Sequence, residues 1–383
     1  MEAANLTSFR TDIELLGREL RAGQGERDLA HFRKILLWNR LLLVVGLVTL
    51  GLFPNPITVL CLSLATFSRW TMIGHHVSHG GYDRLDASGR YHRARFAMGS
   101  LPRRALDWLD WMLPEAWNLE HNKHHHYSLN EPDDPDLVED NLRSLRESSA
   151  PLPVKYLTVL FFMLTWKWFY YSPNTLSRLQ LDRARKGEGA GAEGAGSTYQ
   201  TLLSALLDPP AWLQRSELVL RVLGPYFLYQ FVLLPLPFLL LSGAAYRNAL
   251  LNLLLAELLT NMHAFLVVVT NHAGEDLYRF DTKCTKDVFL LRQVIGSANY
   301  HTSGDVNDFL HGFLNYQIEH HLWPDLSMLS YQRGQERVKG ICRKYNVPYV
   351  QESVWRRLVK TVDIMVGRKG MRRFPERKAG SGV

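Results

Sequence analysis

The sequence predicts an all-helical integral membrane protein: four spanning helices in two hairpins, with a cytoplasmic helical cap that holds a histidine-rich site. Three observations predict it. Apolar residues are clumped into a few long runs, although the mean hydropathy of −0.13, taken alone, reads as a soluble chain. Two pairs of these runs are separated only by short turns. Nine of the 15 histidines fall in three short clusters beside the runs.

The elements follow in order. Residues 1–34 are mixed polar and charged and read as a cytoplasmic segment. They lack the basic-then-apolar pattern and small-residue cleavage site of a secretory leader, so the first apolar run reads as a retained span. A helix needs roughly 20 residues to cross a bilayer. The first candidate, Ile35 to Phe53, ends at the helix-stopping turn Phe53-Pro54-Asn55-Pro56. The second runs from Ile57 to about Ile73 and is weakened by Ser68-Arg69. The third covers about Val222 to Leu241 and the fourth about Ala249 to Thr270, joined by the short stretch Ser242 to Asn248. Connections this short admit only antiparallel hairpins. The membrane domain is expected over 35–345, with a basic tail over 346–383.

A fifth run, Leu152 to Tyr171, contains Lys155, Trp166, Lys167 and Trp168. If it crossed, the histidine clusters before and after it would face opposite sides of the membrane. It therefore reads as an interfacial or re-entrant amphipathic helix, and Phe96 to Trp117 as another of that kind. Arg185 to Ser197 is a Gly/Ala-rich, low-complexity loop expected to carry no chemistry.

The net charge of +7 agrees with this topology. The first 40 residues carry seven Lys/Arg and the chain after Gly367 is rich in them, whereas the two turns hold only Arg247. The positive-inside rule then places both termini and the middle section in the cytoplasm. Anionic headgroups account for the basic excess, and no nucleic-acid motif competes. The three cysteines form no C-x-x-C pair, so neither a cysteine zinc site nor a disulfide framework is implied.

The clusters are His75-His76-Val77-Ser78-His79, His121-Asn122-Lys123-His124-His125-His126, and His320-His321 within Gln317 to Pro324. On a helix, residues i and i+4 share a face, and so do i and i+3. His75 then pairs with His79, and His121 with His124 and His125. One such cluster is commonly a solvated surface patch. Three of them on one side of a membrane, beside spanning helices, favour metal, because ionisable groups packed there are costly unless they work. Neutral imidazole suits iron or zinc. His126, third in a row, is read as facing away, and His263 as a packing residue inside the fourth span. His31 and His92 stand alone, and His301 and His311 receive no ligand role.

The order of two spans, first box, H-x-x-H-H box, two spans and third box resembles the membrane fatty-acid desaturase family. Gln317-Ile318-Glu319-His320-His321-Leu322-Trp323-Pro324 is similar to the Q-x-x-H-H-L-x-P box of front-end desaturases, and the acidic run Glu131 to Asp136 has a familial look. The resemblance implies two iron ions, with O2 as co-substrate, held by His75, His79, His121, His124, His125, His272, His320 and His321. Gln317 is then a weak or water-mediated neighbour. Glu120, Glu319, Asp305 and Asp308 are candidates to orient the rings. The family's first box usually has an acidic residue where His76 stands, which leaves the choice between His75 and His76 open. No His-Pro-Gly-Gly motif is present, so a separate electron donor, cytochrome b5 or ferredoxin, is implied. The implied substrate is a fatty-acyl lipid or acyl-CoA, handled on the cytoplasmic or stromal face. A hydroxylase or other oxygenase on the same scaffold, acting on an acyl, sphingoid or carotenoid substrate, is the nearest alternative. A zinc-dependent membrane hydrolase and a metal transporter are more remote.

Overall fold

The computed structural model describes residues 3–186 and 216–375. The low-complexity loop expected at 185–197 lies outside them from residue 187 onward, as do residues 376–383.

The described chain is mostly helical. Helix α1 (Ala3–Ala22) precedes α2 (Glu26–Val48). Asn55 caps the next helix by accepting the Thr58 N–H, and Pro56 presets its first turn. That helix, α3, runs without a break from Pro56 to Ser78, so the first histidine box lies on the same helix as the second apolar run. Gly80, at φ +85°, follows the helix end, a left-handed position that suits glycine. Two further long helices are α4 (Leu218–Leu240) and α5 (Gly243–Asn271), the latter capped by Ser242 accepting the Ala245 N–H.

Among the described residues, α3, α4 and α5 are the three helices long and apolar enough to cross a membrane. The first expected run falls on the second half of α2 and ends at Val48, five residues short of Phe53. The charged first turns of α2, with Glu26, Arg27, Asp28, Arg33 and Lys34, leave too short an apolar stretch for α2 to join the three. Helix α2 packs on α3, and α3 on α5. Outward faces of these helices carry Val48, Leu220, Leu240 and other exposed apolar side chains, as lipid-facing surfaces do.

The fifth run forms Leu152–Trp166, continues through a π-turn at Lys167–Tyr171, and then extends as Ser172–Arg185. It packs along α5. Phe96 to Trp117 contains only short helices, and Trp108, Trp111 and Trp117 are all buried rather than at a headgroup boundary. Their rings pack as core, with Trp111 edge-on to Trp70 at 5.0 Å.

Both flanks of the chain fold onto the site. Gly17 of α1 seats Trp323 of the third box so closely that a Cβ there would meet the indole nitrogen at 2.3 Å. Arg21 pairs with Asp325 at 2.6 Å, and buried Asp28 accepts from Ser327. At the other end, Val350–Glu352 pairs in parallel with Ala298–Tyr300, and α6 (Val354–Met365) packs on the end of α5.

Candidate metal centre

The three boxes converge. His75, His79, His121, His126 and His320 form one group of ring nitrogens lying within 4.8 Å of one another. His125, His272 and His321 form a second. His75 Nε2 is 3.0 Å from His320 Nε2 and 3.2 Å from His121 Nε2, and His321 Nε2 is 3.2 Å from His272 Nε2. Two nitrogens bound at right angles to one ion, each at about 2.1 Å, sit about 3 Å apart. The neighbours His125–His126 and His320–His321 each divide between the groups. Adjacent histidines thus point into two different groups.

The second box departs from the expected helical face. Glu120–His125 is a π-turn, and His126 N–H donates to His121 O at 3.1 Å. The wider turn carries i+3 off the face and brings i+5 onto it. His126 therefore joins the cluster, and His124 lies half-exposed outside it. In the first box, His76 Nδ1–H donates to Met72 O (2.9 Å) and lies outside both groups, whereas His75 lies within the first. His263 stacks on Phe67 and bonds Leu310 O, a packing role. His311 bonds Asn307 O, and His31 and His92 each face an aspartate.

The rings of the second group are held from outside. His125 Nδ1 meets Asp134 at 2.9 Å, His321 Nδ1 meets Gln293 Oε1 at 2.9 Å, and His272 Nδ1 has Ser297 at 3.5 Å. Such partners fix ring orientation and tautomer. In the first group, His320 Nδ1 has Tyr331 at 3.3 Å. None of the four expected acids touches a ligand ring: Glu319 binds Asn299 and Tyr349, Asp308 binds Asn315 and Tyr316, Asp305 binds Lys34, and Glu120 lies near Tyr171. Asp134 was signalled by the acidic run after the second box; Gln293 and Tyr331 had no sequence signal.

His79 Nε2, His121 Nδ1 and both nitrogens of His126 are buried without a hydrogen-bond partner among the described residues. Orphaned buried nitrogens are costly, and a bound cation resolves them, so the donor set fits metal. Burial holds His79, His121, His126, His272, His320 and His321 well below the usual histidine range, and neighbouring imidazoles add to it. Neutral rings are the ligating form. For His125, burial works the same way but Asp134 and Asp136 outweigh it and raise the ring.

A cavity of about 110 Å³ opens against this cluster. Its lining includes His75, His121, His125 and His272, from both groups, with Gln317, and the aromatic rings of Trp70, Trp166, Tyr171 and Phe265. Gln317 reaches His272 Nε2 at 2.8 Å.

A family model described as fatty acid desaturase matches residues 53–353. The chain belongs to the fatty acid desaturase family. It is thus an oxidoreductase of a di-iron enzyme family, and the histidine centre is where family membership points for iron. The NADPH-dependent stearoyl-CoA 9-desaturase of Mycobacterium tuberculosis (strain H37Rv) is 25% identical, over 93% of this chain and 80% of that protein. Fatty acid desaturase 3 of Bos taurus is 22% identical, over 82% of this chain and 61% of its own length. The Delta(8)-fatty-acid desaturase of Euglena gracilis is 46% identical over 46 residues, 12% of this chain and 11% of that one. No solved structure matches. The desaturase match stops at residue 353, before α6 begins at Val354.

Proposed function

We propose that this protein is an O2-dependent fatty-acyl desaturase that places a double bond in a lipid- or thioester-linked acyl chain, of the front-end type. The observation that carries the reading is the apolar cavity lined by histidines of both groups. Its aromatic wall suits a methylene chain and gives water few partners. The ligand set we assign is His75, His79, His121, His126 and His320 at one position and His125, His272 and His321 at the other, with His126 in the place expected for His124. Two iron ions held there would supply the oxidant that removes hydrogen from two adjacent methylenes. The protein's own part is placement: the cavity fixes the chain against the ligand face, and Asp134 and Gln293 hold the rings.

The overall change, –CH2–CH2– plus O2, two electrons and two protons giving –CH=CH– plus two waters, requires a reductant. We assign this to a separate donor of the cytochrome b5 or ferredoxin class; the name of the mycobacterial relative points to NADPH as the ultimate source. We further propose four spans in two hairpins over the domain 35–345, α2 supplying the first, with the site on the cytoplasmic or stromal face. The basic flanks support that topology, as does the convergence of the second and third boxes on His75 and His79 at the end of α3 and on His272 just past α5. The third box and the local Delta(8) match favour front-end placement.

The test is the fatty-acid profile of a host expressing the protein beside one expressing His126→Ala. A new double bond near the carboxyl end, lost in the variant, is expected. Hydroxylated products instead would assign the chain to oxygenation, and a bond at the ninth carbon alone would remove the front-end reading.

A further inference from the structure

His272 is the ligand whose position is hardest to explain from its own ring. It follows the last, 3-10 turn of α5, in a stretch of no regular structure; its ring has Ser297 at 3.5 Å and a hydrogen bond with the Gly296 backbone, and no charged partner among the described residues. His125 and His321 each have a partner at 2.9 Å. What fixes the His272 backbone comes from α6.

Arg357 is fully buried. Its Nη2 donates to Ala273 O at 2.7 Å, its Nε to Thr270 O at 3.3 Å, and its Nη1 to Asp276 Oδ1 at 2.7 Å. Thr361, one turn along α6, donates its hydroxyl to the same Ala273 O at 2.9 Å. The planar guanidinium thus spans the turn on both sides of His272, a fixed fork that lysine does not reproduce. Gly274 leaves room for it: a Cβ there would meet Arg357 Nη2 at 2.5 Å and Asp276 Oδ1 at 2.8 Å. Lys360 binds the second oxygen of Asp276 at 2.7 Å and locks the acceptor in place.

We propose that Arg357, with Thr361, is a positioning residue for the metal centre: it clamps the turn carrying His272 and so sets the affinity of the three-histidine position. Both residues lie beyond the region matched by the family model. The proposal rests on the histidines being metal ligands, which the metal count of the unaltered protein tests separately. Fewer than two Fe(II) per chain in that protein would sink the ligand reading itself, whereas loss confined to the variants tests the clamp.

The experiment measures Fe(II) per chain and the rate of iron loss to a chelator, with the Mössbauer spectrum of ⁵⁷Fe-loaded protein, for full-length Arg357→Met, Arg357→Lys, Gly274→Ala and Thr361→Val. Arg104→Met is the control: Arg104 is also buried and donates to the carbonyls of Arg221, Asp110 and Met112, away from every ligand. Arg357→Met is expected to fall to about one Fe per chain, with one of two spectral components lost. Gly274→Ala is expected to release one iron roughly 10–100-fold faster, the range typical of losing a group that orients a ligand. Arg357→Lys should recover part of the loss, and Thr361→Val should show the smallest effect. Arg104→Met should keep both irons whatever its stability. If Arg357→Met fails to accumulate, Gly274→Ala decides. Two irons per chain, with unchanged release and spectrum in Gly274→Ala and Arg357→Lys, would overturn the proposal.

Discussion

Two clusters of buried polar groups adjoin the cavity, and they are built on opposite principles. One is the set of eight histidines. The other, in contact with the aromatic lining through Trp111 and Trp166, is a charged cluster: Lys167 and Glu257 pair at 3.1 Å, both essentially fully buried. Tyr226 donates to Glu257, the Lys167 ammonium lies 5.3 Å from the centre of the Trp111 ring, and Asp110 accepts from the Trp108 indole N–H and the Trp111 backbone N–H. Here the charged groups answer one another, and only the Trp111 indole nitrogen is left without a partner among the described residues. In the histidine cluster several nitrogens have no answer among the described residues. A buried polar cluster that satisfies itself is structural; one left open toward its own centre is built for something that binds there.

The comparison breaks most sharply at the ligands. His126→Ala and His321→Ala should abolish product formation and lower bound iron, with losses greater than the roughly 10–100-fold in metal affinity seen when only an outer partner is removed. His124→Ala, a substitution of the neighbouring half-exposed residue, should leave iron and product within about twofold, as removal of a non-ligand does. Iron analysis and lipid profiling decide; equal losses in His124→Ala and His126→Ala would refute the assignment of the π-turn.

Lys167→Met tests the other cluster. Removing one partner of a buried pair leaves a buried charge uncompensated, at a cost of about 3–5 kcal/mol. The expected result is a large fall in unfolding stability in detergent, with iron per chain unchanged in the protein that remains folded. Loss of iron at retained stability would place Lys167 in the metal centre instead.

This contrast also marks what the sequence could reveal. The apolar runs gave the helices because burial of apolar surface and helix period act locally, and the ends at Asn55-Pro56 and Ser242 are written in capping residues. The His75–His79 face was legible because that stretch is an ordinary α-turn. Helical spacing put His124 rather than His126 on the shared face of the second box, whereas the structure groups His126, because a π-turn differs from an α-turn by one inserted residue per turn, a choice made by packing. Nor does spacing show that His320 and His321 point into different groups, or that Arg357, 85 residues beyond His272, holds its turn. Polar residues brought together by tertiary structure leave no period in the chain.

A smaller effect separates ligand from orienter. Asp134→Asn keeps shape and one acceptor but removes the charge that faces His125. Iron affinity should fall about 10–100-fold, with both positions still filled at high iron. Tyr331→Phe, which removes a 3.3 Å contact to His320, should cost less. An iron titration of both variants orders them.

The last expected effect touches no ligand: a pH slope in the charged cluster. Burial lifts the Asp110 carboxyl to about 6, against the pull of Lys167 and two N–H donors in the other direction. An acid whose folded value lies above its unfolded value, about 3.9, stabilises the fold fully at pH below that unfolded value. That contribution is lost as pH rises through about 6. Thermal unfolding of the intact protein should therefore show a contribution, on the order of 3 kcal/mol, lost between about pH 4 and pH 7. Asp110→Asn cannot ionise, and because Trp108 and Trp111 use different oxygens of Asp110 it also loses an acceptor. Its stability should start lower and run flatter across that window. The slope, rather than the absolute stability, carries the test: parallel curves for the two proteins would mean that Lys167 keeps Asp110 ionised throughout, and that the cluster satisfies itself by charge pairing alone.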